Sequence, residues 1–243
     1  MTKTIAPFDL GEDCLLGVAT APRQIEGGDP DCTWARWCRT GDRIKNGATC
    51  ERANDHWNRV DEDVSLIKEL GCRTYRLGVS WSRIEPRPGV IDAKAIEHYR
   101  RELKLLIDAG IRPFVTLHHF AHPLWFEDTG GWEAPQSVRL FVSFTRTVIE
   151  QLGDLVADWC TINEPAVFAV AGYVAGLCPP GKKDVVAYFK VLRNLCLAHR
   201  EAYAEIHRIR GAAGFRDTMV GVAHHLRVFE GEKGPIDQAM ARF

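Results

Sequence analysis

Apolar segments alternate with amphipathic segments along most of the chain, and the two kinds have different spacing. The near-continuous apolar segments predict strands at 15–20, 74–81, 112–119, 158–163 and 218–225. The amphipathic segments place apolar residues three or four positions apart and predict helices at 54–71, 92–110, 137–153 and about 184–210. Continuous apolar character is typical of strands buried on both faces, and strands separated by helices indicate parallel βαβ units.

The first two long helices also carry recognisable ends and faces. Asn54 or Asp55 is the expected N-cap of the first helix, and Gly71 and Gly110 are expected to end the first and the second. The apolar faces expected to pack on the sheet are Trp57, Val60, Val64 and Ile67 in the first helix and Ile96, Tyr99, Leu103 and Leu106 in the second.

An open doubly wound sheet and a (β/α)₈ barrel both fit this alternation, and the polar residues favour the barrel. Arg76 lies within its predicted strand, whereas His119, Asn163 and Glu164 lie at or just past the ends of theirs. Polar groups from several strand ends meet on one rim in barrel enzymes. A plain barrel takes about 250 residues, and the wider spacing of these strands leaves room for about five βα units. We therefore predict an α/β fold of (β/α)₈ TIM-barrel type, incomplete, as one partial domain over 1–243.

The bulk composition is that of an ordinary globular protein. Lys and Arg total 31 against 32 Asp and Glu, interspersed along 243 residues with a net charge of -1. This balance gives no basis for a nucleic-acid partner or an anionic membrane surface. The first residues lack the apolar core of a signal peptide, so we expect a cytoplasmic protein with no membrane partner. The eight cysteines include no Cys-x-x-Cys pair, which favours reduced thiols.

The segment WCTINEP, 159–165, places an amide and a carboxylate where a buried strand ends. A carboxyl group acts as a general acid near neutral pH when burial or a nearby negative charge keeps it protonated. Glu164 can receive such surroundings at the mouth of a barrel, and Asn163 can bind a substrate hydroxyl. Pro165 ends the strand because it donates no ladder hydrogen bond. The alternative is that Asn163, Glu164 and Pro165 form only a polar turn.

Histidine and tryptophan residues offer further chemistry. A metal site is conceivable at the histidine positions His118, His119, His122, His224 and His225. Adjacent histidines on a strand point to opposite faces, and no Cys or carboxylate spacing supports a metal, so we predict none. Packing is expected for Trp34, Trp37, Trp57 and Trp81. Trp125 and Trp132 follow the third strand, so packing and sugar stacking both stay open for them.

Five stretches in order carry a resemblance to a known family. They are ATAPRQIEGG, HWNRVDEDVSLIKELG, YRLGVSWSRIEP, FVTLHHFAHPLWFEDTGGW and WCTINEPAVFAVAGYVAGLCPPG. Together they closely resemble the N-terminal half of the family-1 glycoside hydrolases, the β-glucosidase and β-galactosidase family. The resemblance runs from about Phe8 to the fifth strand.

The resemblance implies a retaining β-glycosidase on a (β/α)₈ barrel that uses no metal or other cofactor. Glu164 matches the family's general acid/base, and Asn163 matches the residue that binds the sugar 2-hydroxyl. Gln24 and His119 match groups that hold the non-reducing-end sugar. Arg76 matches an arginine that pairs with the nucleophilic carboxylate. The implied partner is a small β-glycoside.

The chain departs from the family pattern in two places. Phe120 stands where many members carry Trp. The nucleophile of the family lies in a Thr/Ser-Glu-Asn-Gly-like motif that this chain lacks, although retaining hydrolysis needs a second carboxylate about 5–5.5 Å from the first. Glu26, Glu230 and Glu232 are poor substitutes because two carboxylates must meet in a narrow geometry. We therefore expect the nucleophile to be absent from this chain and the isolated chain to be inactive.

Three hypotheses follow from the sequence. The first is a β-glycosidase of which this chain is the N-terminal portion. The second is a non-catalytic sugar-binding remnant that uses Gln24, His119 and Asn163. The third is a half-barrel that assembles with a complementary chain or a second copy, because two unpaired apolar sheet edges favour association.

Overall fold

A single parallel sheet organises the part of the chain that the computed structural model describes, which comprises residues 11, 13–41, 43–226 and 234. Its strands are β1 (Gly17–Ala19), β2 (Thr74–Gly78), β3 (Arg112–His118), β4 (Asp158–Asn163) and β5 (Met219–Ala223). Each strand pairs with its neighbour in the sequence, in the order β1-β2-β3-β4-β5. A doubly wound sheet reverses its strand order at a switch point, whereas a barrel does not. The strand order therefore confirms the barrel type.

The described helices lie between the strands and after short loops. They are α1 (Pro22–Ile25), α2 (Thr33–Arg39), α3 (His56–Glu69), α4 (Trp81–Ile84), α5 (Ala93–Asp108), α6 (Leu124–Asp128), α7 (Ser137–Leu152), α8 (Pro165–Ala169) and α9 (Val185–Ala212). Single 3₁₀ turns occupy Lys45–Gly47 and Gly131–Glu133, and a π-helical turn occupies Val170–Val174. Among these helices, none is both long and apolar enough to cross a membrane.

The long helices bury the faces that the sequence predicts. Val60, Val64 and Ile67 of α3 are buried, as are Tyr99 and Leu103 of α5. Trp57 is only partly buried, and it packs against the edge of the core. Asp92 caps α5 by accepting hydrogen bonds from the backbone N–H groups of Lys94 and Ala95. All eight cysteines lie in the described part and are free thiols there.

Asp55 occupies the predicted N-cap position of α3, but the expected capping bond is missing. Asp55 precedes the helix, but its backbone is left-handed with φ 58°, and its side chain makes no capping bond. The loop before α3 is instead tied to α1, because Asn54 N–H donates to the Ile25 carbonyl and Trp57 N–H donates to the Glu26 carbonyl. These contacts set the direction of the chain into α3. Tertiary contacts therefore outweigh the local capping preference.

Three predicted strands are also too long, and one of them is the fifth, which was predicted at 218–225 and is observed at Met219–Ala223. The other two are the second and the first. The prediction 74–81 ends at Gly78 in the structure, and Trp81 begins the short helix α4. The prediction 15–20 shortens to Gly17–Ala19. In both cases the strand ends where the chain turns into a helix of four residues, which is too short to show a helical period.

The register of the strands determines which side chains lie together at the carboxyl end of the sheet. Ala19 of β1 pairs with Arg76 of β2, and Arg76 pairs with Phe114 of β3. The register between β4 and β5 shifts between Cys160 and Asn163. Irregularities of this kind redirect side chains near functional sites. Asn163 is the last residue of β4 and follows this shift.

Candidate active site

Arg76 and Asn163 meet at the carboxyl end of the sheet, although two different strands carry them. Arg76 Nη2 donates a hydrogen bond of 2.7 Å to Asn163 Oδ1. The Arg76 Nε atom is buried and has no hydrogen-bond partner in the described part of the chain. One end of the guanidinium is therefore fixed, while its Nε–H stays available to another acceptor.

Glu164 follows Asn163 at the junction of β4 and α8. Asn163 Nδ2 donates to Glu164 Oε2 at 3.3 Å, and the Glu164 side chain is 31% exposed. The backbone of Glu164 is left-handed, with φ 44° and ψ 59°, and its N–H donates to the Ala223 carbonyl of β5. Pro165 at the first helical position suits the start of α8. Backbone contacts on both sides therefore hold the carboxyl group at the rim.

His225 is a neighbour of Glu164 for which the sequence suggested only a metal role. Its Nδ1 lies 3.4 Å from Glu164 Oε1. His225 comes two residues after β5 ends, and the carboxyl ends of parallel strands share one rim. Its position as the last residue of the strand predicted at 218–225 was the signal available in the sequence.

His119 lies directly after β3 and close enough to Arg76 for the two to interact. Burial and the positive charge of Arg76 lower the pKa of His119 to about 4, so the ring is neutral near pH 7. Its Nδ1 is buried without a hydrogen-bond partner in the described residues. A neutral imidazole has one donor and one acceptor nitrogen, which suits a pair of hydroxyl groups.

Gln24 lies on α1, which follows β1 at the same end of the sheet. The Thr20 N–H donates to the Arg76 carbonyl, so the chain entering α1 is tied to β2. Pro22 packs against Gly78, where an added Cβ would lie 2.5 Å from Pro22 Cδ. Gln24 itself is exposed, and no hydrogen bond joins its side chain to another described residue. Backbone contacts therefore bring Gln24 to this end of the sheet, but no side-chain bond links it to the other candidates.

Glu26 is engaged elsewhere. Arg83 Nε donates to Glu26 Oε2 at 2.9 Å, and the Tyr99 hydroxyl donates to Glu26 Oε1 at 2.8 Å. Burial raises the pKa of Glu26 to about 7, against the opposing effects of Arg83 and Tyr99. Both carboxylate oxygens thus hold the loop after α1 in place. The other carboxylates considered, Glu230 and Glu232, lie outside the described residues.

His118 faces the helices, where it contacts aromatic rings. Its Nε2 lies 3.4 Å from His122 Nδ1 and accepts a hydrogen bond from the Trp132 indole N–H at 3.3 Å. Burial holds the pKa of His118 well below its usual range. Trp132 is fully buried, and the Trp125 indole N–H donates to the Glu85 carbonyl. Trp132 therefore packs in the core, and Trp125 has its polar edge tied to a neighbouring loop.

Comparison with known proteins identifies the family. The family model described as glycosyl hydrolase family 1 matches residues 7–240. The chain belongs to this family. Beta-glucosidase A of Thermotoga maritima is 38% identical over 197 residues, which are 79% of this chain and 44% of that protein. Beta-glucosidase A of Acetivibrio thermocellus is 34% identical over 221 residues, or 88% of this chain and 48% of that protein.

A solved structure of this glycosyl hydrolase family matches the fold over nearly the whole chain. The β-glucosidase from Thermotoga maritima in complex with glucoimidazole superposes with a TM-score of 0.90 at 34% identity. The match covers 96% of this chain and 53% of that one. The chain thus spans about half the length of the curated relatives it matches, and its sheet corresponds to part of their TIM barrel.

The partly buried, neutral His119 predicts a pH-dependent stability. Its pKa is about 4 when folded and 6.5 in the reference state, so protonation favours the unfolded chain. The stability that the neutral ring supports is present above pH 6.5 and falls as the pH drops through 4. The parent chain is expected to lose up to about 3 kcal/mol of unfolding free energy through His119 on acidification, and His119→Gln should not show this loss. Urea unfolding at pH 7 and pH 4.5 measures it.

His98 provides a matched control for this measurement. Burial likewise lowers its pKa to about 4, but His98 lies on α5, where its ring stacks on Trp57. His98→Gln should therefore reduce the acid loss similarly while leaving any sugar binding at the rim unchanged. If His119→Gln loses as much unfolding free energy between pH 7 and pH 4.5 as the parent chain does, the lowered pKa of His119 is contradicted.

Proposed function

We propose that this chain supplies the acid/base half of a retaining β-glycosidase of the β-glucosidase type, which hydrolyses the O-glycosidic bonds of small β-glycosides. One observation carries the proposal: Asn163 hydrogen-bonds both Arg76 and Glu164, and so joins polar groups of two strands at one rim. Membership of the family supports the same chemistry.

Glu164 is the proposed general acid and base. In its protonated form it gives its proton to the glycosidic oxygen as the bond from that oxygen to the sugar carbon breaks. In the second step its carboxylate takes a proton from the attacking water, which restores the acid. Its partly exposed position leaves the carboxyl group open to substrate and water.

Asn163, His119 and Gln24 are the proposed sugar-binding groups. The Asn163 amide lies next to Glu164, where it can bind the hydroxyl beside the reacting carbon. His119 is neutral near pH 7, so it can donate to one hydroxyl and accept from its neighbour. Gln24 is exposed at the same end of the sheet and offers an amide to the far side of the ring.

Arg76 is the proposed partner of the nucleophile. A guanidinium keeps a nearby carboxylate ionised, and the buried Arg76 Nε has no partner among the described residues. Retaining hydrolysis needs that second carboxylate about 5–5.5 Å from Glu164. Glu26 is engaged by Arg83 and Tyr99, which supports the proposal that no carboxylate of this chain serves as nucleophile.

The purified chain is therefore expected to be inactive. With an aryl β-glucoside as substrate, the release of the phenol should equal the rate in buffer, because no nucleophile forms the glycosyl intermediate. Absorbance of the released phenol measures the rate. Robust turnover that Glu164→Gln abolishes would contradict this expectation and would require a nucleophile within the chain.

The alternative of a non-catalytic sugar-binding remnant gives a different result with the same protein. The inactive chain would then bind gluconolactone or glucose, and Gln24→Ala would abolish that binding. Calorimetric titration distinguishes the two outcomes. If the chain shows neither turnover nor sugar binding, the residues at the rim have neither of the functions proposed for them here.

The edges of the sheet favour the other alternative, a half-barrel that assembles. Within the described residues, β1 pairs only with β2, and β5 pairs only with β4. Leu16 beside β1 and Met219 of β5 are 58% and 64% exposed. Unpaired strands with exposed apolar residues associate readily. Under this alternative, a complementary chain or a second copy covers both edges, and sedimentation velocity over a range of concentrations detects it.

A further inference from the structure

A cavity beside α2 shares no residue with the proposed active site. Its volume is about 190 Å³, and one face of α2 contributes Thr33 and Trp37 to its wall. Pro179 and Pro180 form an apolar part of the opposite wall. Pockets for drug-sized ligands usually measure about 300–1,000 Å³. This cavity therefore suits a molecule of monosaccharide size or smaller.

Thr33 is a wall residue whose hydroxyl is buried. The residue is only 4% exposed, and its hydroxyl has no hydrogen-bond partner in the described part of the chain. The hydroxyl oxygen has almost no accessible surface, so a molecule in the cavity contacts other parts of the wall.

Arg43 supplies a positive charge at the cavity. Its guanidinium lies 4.1 Å from the centre of the Trp37 ring, and no described carboxylate forms an ion pair with it. Gly181 has φ 79°, and an added Cβ would lie 2.8 Å from Arg43 Nη1 and 2.6 Å from the Trp37 ring. Only glycine leaves room for the arginine and the ring at this point. The backbone at Gly181 and the indole thus hold the guanidinium in place.

The other charged groups at the cavity already have partners. Both terminal nitrogens of Arg36 donate to the Asp128 carboxylate, at 2.5 and 2.9 Å. His122 Nε2 donates to Glu127 Oε2 at 2.8 Å. Burial alone would raise the pKa of Glu127, but the hydrogen bond from His122 outweighs burial and the pKa is lowered. This carboxylate is therefore ionised near pH 7. Its Oε1 has no hydrogen-bond partner among the described residues and can accept from a ligand hydroxyl.

We propose that this cavity binds a small hydroxy-carboxylate of monosaccharide size, with sugar acids such as a hexuronate as the fitting class. Arg43 binds the carboxylate, and Glu127 Oε1 accepts a hydrogen bond from a hydroxyl group. A phosphate ester fits less well, because its double negative charge would lie near the Glu127 carboxylate. The proline and indole walls cover the apolar side of the molecule.

Calorimetric titration of the purified chain with D-glucuronate tests the proposal, and D-glucose is the matched ligand because it lacks the carboxylate. We expect glucuronate to bind and glucose to bind about tenfold more weakly or not at all, since charge-assisted hydrogen bonds are the stronger ones. Arg43→Gln should weaken glucuronate binding by about tenfold or more. Thr33→Val replaces a hydroxyl that the ligand does not reach, so it should leave the glucuronate affinity unchanged.

Two control variants locate the binding. Arg216→Gln removes an exposed charge beyond the cavity and should leave the affinity unchanged. Gln24→Ala removes a proposed sugar-binding group of the rim, so titrations of this variant separate binding at the cavity from binding at the rim, and its glucuronate affinity should be retained. In the Gln24→Ala chain, equal affinity for glucose and glucuronate, no loss on adding Arg43→Gln, or no glucuronate binding would each overturn the proposal.

Discussion

Glu164→Ala is expected to lower the rate of glycoside hydrolysis by about 10²–10⁴-fold, which is the usual contribution of a general acid/base. The measurement uses a chimera that turns over substrate, in which residues 1–226 of this chain are joined to the part of Thermotoga maritima β-glucosidase A beyond the matched region. The rate falls because no group near the scissile bond then protonates the leaving oxygen. The steady-state kcat for an alkyl β-glucoside, whose leaving group needs the proton, reports it.

A small anion distinguishes this role from general damage to the site. Azide attacks the glycosyl intermediate without a general base, so it should accelerate turnover of an activated aryl glucoside by the Glu164→Ala chimera. Glu201→Ala, which removes an exposed carboxylate of α9, should keep the parent rate. A Glu164→Ala chimera that retains most of its rate would remove Glu164 from the mechanism.

Trp81→Ala is expected to destabilise the fold by about 3–5 kcal/mol, the usual loss when a large buried aromatic is truncated. Trp81 is 1% exposed and stacks on Phe144, with the ring centres 4.8 Å apart and the planes at 15°. It also contacts Phe126, and its indole N–H donates to Glu85 Oε2 at 2.8 Å. The free energy of unfolding in urea measures the loss.

Two variants show which part of Trp81 matters. Trp81→Phe keeps most of the aromatic packing but removes the hydrogen bond to Glu85, so its loss should be the smaller one. Leu177→Ala truncates a side chain that is 75% exposed and should change the stability by less than about 0.5 kcal/mol. A Trp81→Ala loss as small as that of Leu177→Ala would contradict the packing at this position.

The long elements could be predicted from the sequence because burial gives them a regular apolar pattern. Strand β4 has the predicted bounds, and α7 (Ser137–Leu152) ends one residue before the predicted end. Short helices such as α6 and α8 could not be predicted, since five residues do not establish a period. The strand order that separates a barrel from a doubly wound sheet depends on long-range pairing, which the periodicity does not contain.

The candidate site was predictable to the level of strand ends, but its contacts were not. Arg76, Asn163 and Glu164 came from their positions in predicted strands together with the family motif. The hydrogen bond from Arg76 to Asn163 depends on the spacing between β2 and β4, and the approach of His225 to Glu164 depends on the shifted register of β5. The positive φ of Asp55 and Glu164 likewise results from contacts distant in sequence.

The left-handed backbone at Glu164 makes this position a poor target for thermostabilisation. A non-glycine residue held in that conformation stores about 1–3 kcal/mol of strain. Glycine would release the strain and asparagine would tolerate it better, yet either one would delete the proposed proton donor. A library ranked by melting temperature alone would therefore enrich sequences without the proposed acid, so a screen at residue 164 has to score turnover together with heat resistance.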